Sequence, residues 1–182
     1  MNRIFLLDRS GSMQSCWMDT IGGYNAFVTS QKPLGGTMSL ILFDHEYQKV
    51  YENKPIEEVV DLTQETYTPR GSTALLDAMG QCIKECTVDK PTVIILTDGH
   101  ENASTTYTNA HIKDLVDQKT KDGWTFVYLG ANQDAFAEGA KLGVDPRCTL
   151  NFDVNNTPGL FATLSAAVSR QATGESQTEE MY

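Results

Sequence analysis

The sequence predicts an open, doubly wound α/β fold: a six-stranded, mainly parallel sheet with one antiparallel edge strand and helices on both faces. Three observations predict it. Short apolar runs alternate with helical stretches along the chain, the order that gives parallel strands joined by crossover helices. The runs Arg3 to Leu7 and Val93 to Thr97 are each followed at once by an acid, Asp8 and Asp98. In such sheets the carboxyl ends of the strands are where ligands sit. Finally, the runs Thr37 to Phe43 and Tyr47 to Tyr51 are separated only by Asp44, His45 and Glu46. That is too short for a parallel crossover, so the third strand must turn back as an antiparallel edge.

Taken in order, the first strand is followed by a helix near Cys16 to Gln31, then by the hairpin. A turn-rich loop, Pro69-Arg70-Gly71-Ser72-Thr73, opens a helix near Thr73 to Cys86. Leu75, Met79, Cys82 and Cys86 share one face of that helix, the pattern of core packing rather than of a thiol metal site, which would need two further ligands. After the strand Val93 to Thr97 come a helix over Asn109 to Lys121 and a strand over Thr125 to Leu129. Around that strand Trp124, Phe126 and Tyr128 alternate with Thr125, Val127 and Leu129, as expected of a strand buried on both faces. A helix over Gln133 to Leu142, a strand over Thr149 to Phe152 and a helix over Pro158 to Ala172 complete one domain, residues 1–172. The acidic tail 173–182, with Glu175, Glu179 and Glu180, lacks periodicity and is expected to be disordered and solvated.

The 182 residues, 40% of them hydrophobic, suit one compact domain with a full core. The 14 basic against 24 acidic residues, with no basic cluster, argue against a nucleic-acid partner. No run approaches the roughly 18 apolar residues that span a bilayer, so no membrane association is expected. The opening MNRIFLLDRS is too short and too soon charged to read as a secretory leader. Cys16, Cys82, Cys86 and Cys148 lack the spacing of a disulfide framework or of a CxxC zinc site and are expected to be reduced. A cytoplasmic protein is the expectation.

The chemistry concentrates at Ile4 to Met13, IFLLDRSGSM. Asp8, Ser10 and Ser12 alternate, so a chain leaving the strand in extended form aims all three the same way. One carboxylate and two hydroxyls make half of a hard oxygen site of low charge, suited to Mg2+ or Mn2+. Thr73, near a helix N-terminus, and Asp98, at the end of a second strand, bring the set to five oxygen ligands on three loops. Gly71 and Gly99 fit the tight backbone such loops need. Asp44 to Glu46 and Gly130, Ala131 and Asn132 fall on the same face as candidate rim residues for a partner. Asn132 reads more readily as the cap of the following helix, and His45 as solvent-exposed.

DRSGSM, followed by Thr73 and by Thr97-Asp98-Gly99, resembles the DxSxS motif and its companions in von Willebrand factor type A (VWA) domains, over roughly Met1 to Ser169. The resemblance implies a Rossmann-like VWA fold and an intact metal-ion-dependent adhesion site (MIDAS). Asp8, Ser10, Ser12 and Thr73 would then ligate the metal, with Asp98 often acting through water. The implied ion is Mg2+, with Mn2+ or Ca2+ as alternatives. A cation held by few anionic ligands keeps net positive charge, so a protein partner's Asp or Glu carboxylate can complete its coordination. No covalent step is required, and a binding module rather than an enzyme is expected.

Two other functions fit the same residues. A metal with open positions can activate water, and Asp98-Gly99-His100-Glu101 is the nearest constellation for a phosphoester hydrolase with Glu101 or His100 as base; His45 and His111 add no paired motif. Alternatively, stand-alone VWA domains resembling those of bacteria and their phages serve as adaptors of metal chelatases, AAA+ ATPases or proteolytic assemblies. An adaptor in an intracellular assembly is the expected role.

Overall fold

A computed structural model of the chain describes residues 1–98, 101–131, 134–152 and 157–172. Gly99, His100, Asn132 and the tail 173–182, each the subject of an expectation above, lie outside the described residues. The strands are β1 (Asn2–Asp8), β2 (Thr37–Phe43), β3 (Tyr47–Pro55), β4 (Thr92–Thr97), β5 (Thr125–Ala131) and β6 (Thr149–Phe152). The helices are α1 (Trp17–Gln31), α2 (Leu75–Glu85), α3 (Asn109–Lys121), α4 (Ala135–Lys141) and α5 (Thr157–Ala172).

One six-stranded sheet results, in the order β3-β2-β1-β4-β5-β6. All neighbours are parallel except β2 and β3. The chain first moves to one side of β1, then crosses to β4 on the other. The topological switch therefore falls between the carboxyl ends of β1 and β4, where Asp8 and Asp98 lie.

The period of two along β1 divides the core. Phe5 and Leu7 join Tyr24, Phe27 and Phe161 in a cluster beneath α1 and α5, whereas Ile4 and Leu6 join Met79, Cys82, Ile112 and Val116 beneath α2 and α3. Phe5 meets Tyr24 edge-on at a centroid distance of 5.2 Å and stacks on Phe161 at 6.4 Å. Burying such a ring contributes about 1.5–3 kcal/mol. β5 is buried on both faces, with Val127 and Leu129 in the first cluster and Phe126 and Tyr128 in the second. The cysteines are free; Cys82 packs in the second cluster with Cys86 beside it.

Three local expectations are corrected. β3 runs on to Pro55, a polar edge strand whose Lys49, Glu52 and Lys54 discourage further pairing. α2 begins at Leu75 rather than Thr73, because tertiary hydrogen bonds hold residues 70–74 in a non-helical path. The cap of α4 is Asp134, whose carboxylate accepts from the Ala137 N–H at 3.2 Å.

Candidate metal centre

The loop after β1 departs from a simple extended exit. The Asp8 side chain folds back so that Oδ1 accepts the Ser10 N–H at 2.6 Å, an Asx-type turn, and Gly11–Cys16 then wind into a 3-10 helix. Ser12 therefore sits in a helical turn. The hydroxyls still converge, because the turn brings Ser12 Oγ to 3.0 Å from Ser10 Oγ. Ser12 Oγ also donates to Asp98 Oδ1 at 2.8 Å. A continuous hydrogen-bonded chain thus links four of the five expected ligands, Asp8, Ser10, Ser12 and Asp98.

Thr73, the fifth, is placed by backbone bonds on its own loop and beyond it. The Gly11 N–H donates to Gly71 O at 3.0 Å and the Arg70 N–H to Arg9 O at 2.6 Å, which lays this loop beside that of Asp8. The Thr73 N–H donates to Asn102 Oδ1 at 2.9 Å, and Thr73 O accepts the Asn102 and Ala103 N–H groups. Thr73 is buried, and its hydroxyl has no hydrogen-bond partner among the described residues.

Burial sets the electrostatics. Asp8 is 0% exposed, Ser10 2%, Thr73 3% and Asp98 9%, while Ser12 opens to solvent. Asp8 is thus more deeply enclosed than a loop-borne ligand need be. Desolvation pushes its pKa up to about 6, against the lowering effect of hydrogen bonds from Thr97 and Ser10, and the nearby Asp98 pushes the same way as burial. Desolvation also raises Asp98, partly offset by the Ser12 hydroxyl. Among the described residues no Lys or Arg pairs with Asp8 or Asp98.

The donor set fits a hard divalent cation: two carboxylates and several hydroxyls, all oxygen, with negative charge that no basic side chain of the described residues compensates. Among the described residues no group of three His, Cys, Asp or Glu side chains could hold a metal. Any cation here would lean on hydroxyls and water.

Two residues of this region were given no role from the sequence. Thr97 Oγ1 donates to Asp8 Oδ2 at 2.6 Å, and Tyr67 Oη donates to Asp8 O at 2.8 Å. The Thr-Asp pair closing β4 was the available signal for Thr97; Tyr67 had none. Asp44, expected on the rim, is 0% exposed. It accepts from Arg9 Nε at 3.2 Å and Arg70 Nε at 2.7 Å, so it is an internal anchor rather than a partner contact. His45 is half-exposed as expected. Glu101 accepts backbone N–H bonds from Leu76, Ala103 and Ser104, which commits its carboxylate to shaping the loop after β4.

No family model and no curated protein sequence matches the chain. Solved structures share its fold. The von Willebrand factor domain of the type V pili tip protein Mfa5 from Porphyromonas gingivalis matches with a TM-score of 0.70 at 12% identity, over 99% of this chain and 97% of that one. Mussel proximal thread matrix protein 1, in a structure with a zinc-occupied MIDAS motif, matches with 0.66 at 14% identity, over 91% of this chain and 47% of that one. The ArnB paralog VWA2 of Sulfolobus acidocaldarius matches with 0.62 at 16% identity, over 91% and 44%. The chain spans less than half of the mussel and archaeal proteins and nearly all of the pilus-tip domain. Its fold is that of VWA domains.

Proposed function

We propose that this chain is a divalent-metal-dependent protein-binding module of the VWA type. Asp8, Ser10, Ser12 and Thr73 would hold Mg2+, or Mn2+ or Ca2+ in its place, with Asp98 acting directly or through water. The bound cation supplies a positive anchor for a carboxylate. The chain's own part is to present oxygen ligands from three loops at the sheet's switch point and to leave the Ser12 side open to a partner's Asp or Glu. The observation that carries this reading is the joined Asp8, Ser10, Ser12 and Asp98 network, whose buried charge no basic side chain of the described residues neutralises. A set of carboxylates left without a counter-charge in a low-dielectric site is what a cation would stabilise.

The role in view is that of an adaptor in an intracellular assembly rather than of an enzyme. Its four free cysteines fit a reducing compartment, and no described helix is long and apolar enough to cross a membrane. Glu101, one of the two candidate bases for a hydrolase, is already engaged by backbone donors.

Calorimetric titration of the metal-stripped protein with Mg2+, Mn2+ and Ca2+, beside Asp8→Ala, tests the metal. Binding by the native chain alone supports the reading; equal binding by both proteins defeats it. Carboxylate recognition is tested with Mn2+-loaded protein and a Glu-containing peptide: displacement of metal-bound water, read as a fall in water-proton relaxation, is expected, and an unchanged signal at saturating peptide counts against it.

A further inference from the structure

The loop that carries Thr73 has no regular structure of its own and must be located by something outside it. Asp44, at the carboxyl end of β2, grips it on both sides. Its Oδ2 accepts Arg70 Nε at 2.7 Å, three residues before Thr73, and its backbone carbonyl accepts the Ala74 N–H at 2.8 Å, one residue after. The same Oδ2 accepts Arg9 Nε at 3.2 Å, and Arg9 directly follows Asp8. Asp44 Oδ1 is held in turn by the Glu46 N–H at 2.7 Å, and Glu46 pairs with the Arg70 guanidinium. Arg9 also donates to Gln48 on β3. A fully buried carboxylate shared between the buried Arg9 and the half-exposed Arg70 is costly to assemble, because the Asp44 and Arg9 charges must leave water. Its place here is between the two loops that carry Asp8 and Thr73.

We infer that Asp44, Arg9 and Arg70 form a positioning clamp that fixes the Thr73 hydroxyl relative to Asp8, making the β2–β3 hairpin a determinant of metal affinity. This rests on the metal-site reading above. The clamp touches no metal itself; it acts through Thr73, as outer partners that orient metal ligands do.

Arg70 is the residue to change, because its side chain is half-exposed and its loss leaves Asp44 still paired with Arg9. Mn2+ affinity of native, Arg70→Ala, Thr73→Ala and the double variant, measured by electron paramagnetic resonance of free Mn2+, forms a double-mutant cycle. Arg70→Ala is expected to weaken Mn2+ about 10-fold, and to weaken it no further once the Thr73 hydroxyl is gone. A general loosening of the fold would instead add its loss in both backgrounds. Affinity within twofold of native in Arg70→Ala, or additive losses in the double variant, overturns the clamp. Asp8→Ala serves as the control: if it binds Mn2+ as native does, or if native protein binds none, the metal-site reading itself fails and takes the clamp with it.

Discussion

Two buried aspartates end neighbouring strands of this sheet, and the chain treats them in opposite ways. The Asp44 carboxylate, after β2, meets two guanidinium groups and the Glu46 N–H. Asp8, closing β1 and paired in register with Phe43, meets among the described residues only hydroxyls and one backbone N–H. Both are 0% exposed. The difference lies in counter-charge: Asp44 is neutralised within the fold, while Asp8 stands near a second acid, Asp98, and its pKa is driven up to about 6 by desolvation. On the metal-site reading proposed above, the carboxylate left without a counter-charge is the one a cation from solution would complete.

The comparison breaks most visibly by removing each charge while keeping its shape. Asp8→Asn is expected to lose Mg2+ or Mn2+ binding by more than about 100-fold, beyond the 10–100-fold typical of outer partners. The same metal-free variant should unfold at or above the native temperature at pH 7.5. Asp44→Asn should do the reverse, lowering metal-free stability by about 3 kcal/mol because it takes the counter-charge from the buried Arg9 guanidinium. Calorimetric titration and denaturant unfolding of both variants check this; a metal-free Asp8→Asn protein less stable than Asp44→Asn would erase the distinction.

Acidity sharpens it next. A carboxylate with a raised folded pKa contributes stability that is fully present below its unfolded value and is lost as pH rises through the folded one. For Asp8 that window runs from 3.8 to about 6. The full shift corresponds to about 3 kcal/mol, of which roughly 1 kcal/mol falls between pH 5 and 7. The metal-free protein should therefore lose that increment across this interval, and Asp8→Asn should not. Over the same interval the stabilisation by added Mg2+ should grow, since protons compete with the cation. Thermal unfolding from pH 5 to 7, with Mg2+ and with chelator, reads both effects; a metal-induced shift that does not change with pH would contradict them.

Smaller effects belong to the neutral parts of the site. Thr73→Ala should weaken metal binding about 10-fold without unfolding the protein, since a hydroxyl contributes less than a carboxylate. Gly71 adopts φ +71, and a Cβ there would stand 2.5 Å from His45 Nδ1. Gly71→Ala should therefore cost about 1 kcal/mol or more of stability, with a modest loss of metal affinity as the Thr73 loop shifts. Metal titration and urea unfolding of each variant would expose the opposite order.

The strands and most helices were legible in the sequence because period-two and helical patterns are local, and the short Asp44 to Glu46 link left β3 no other pairing. Four of the expected ligands meet in one hydrogen-bonded network because three lie within five residues and the fourth ends the strand beside β1. The extended exit expected for Ser12 was wrong in its backbone path: the Asp8 carboxylate captures the Ser10 N–H, and that capture starts a 3-10 turn. Asp44 was misread as a rim residue because nothing in a local Asp-His-Glu turn reveals that two arginines, 35 and 26 positions away, converge on it.

By itself, then, the sequence determined the order of elements, the antiparallel edge and the oxygen chemistry at the ends of β1 and β4, since each depends on residues close together in the chain. Only the tertiary structure decided which buried acid would find a counter-charge. Desolvation and ion pairing depend on what distant segments bring to the same point in space, and they gave Asp44 its arginines while leaving Asp8 with hydroxyls and a backbone N–H.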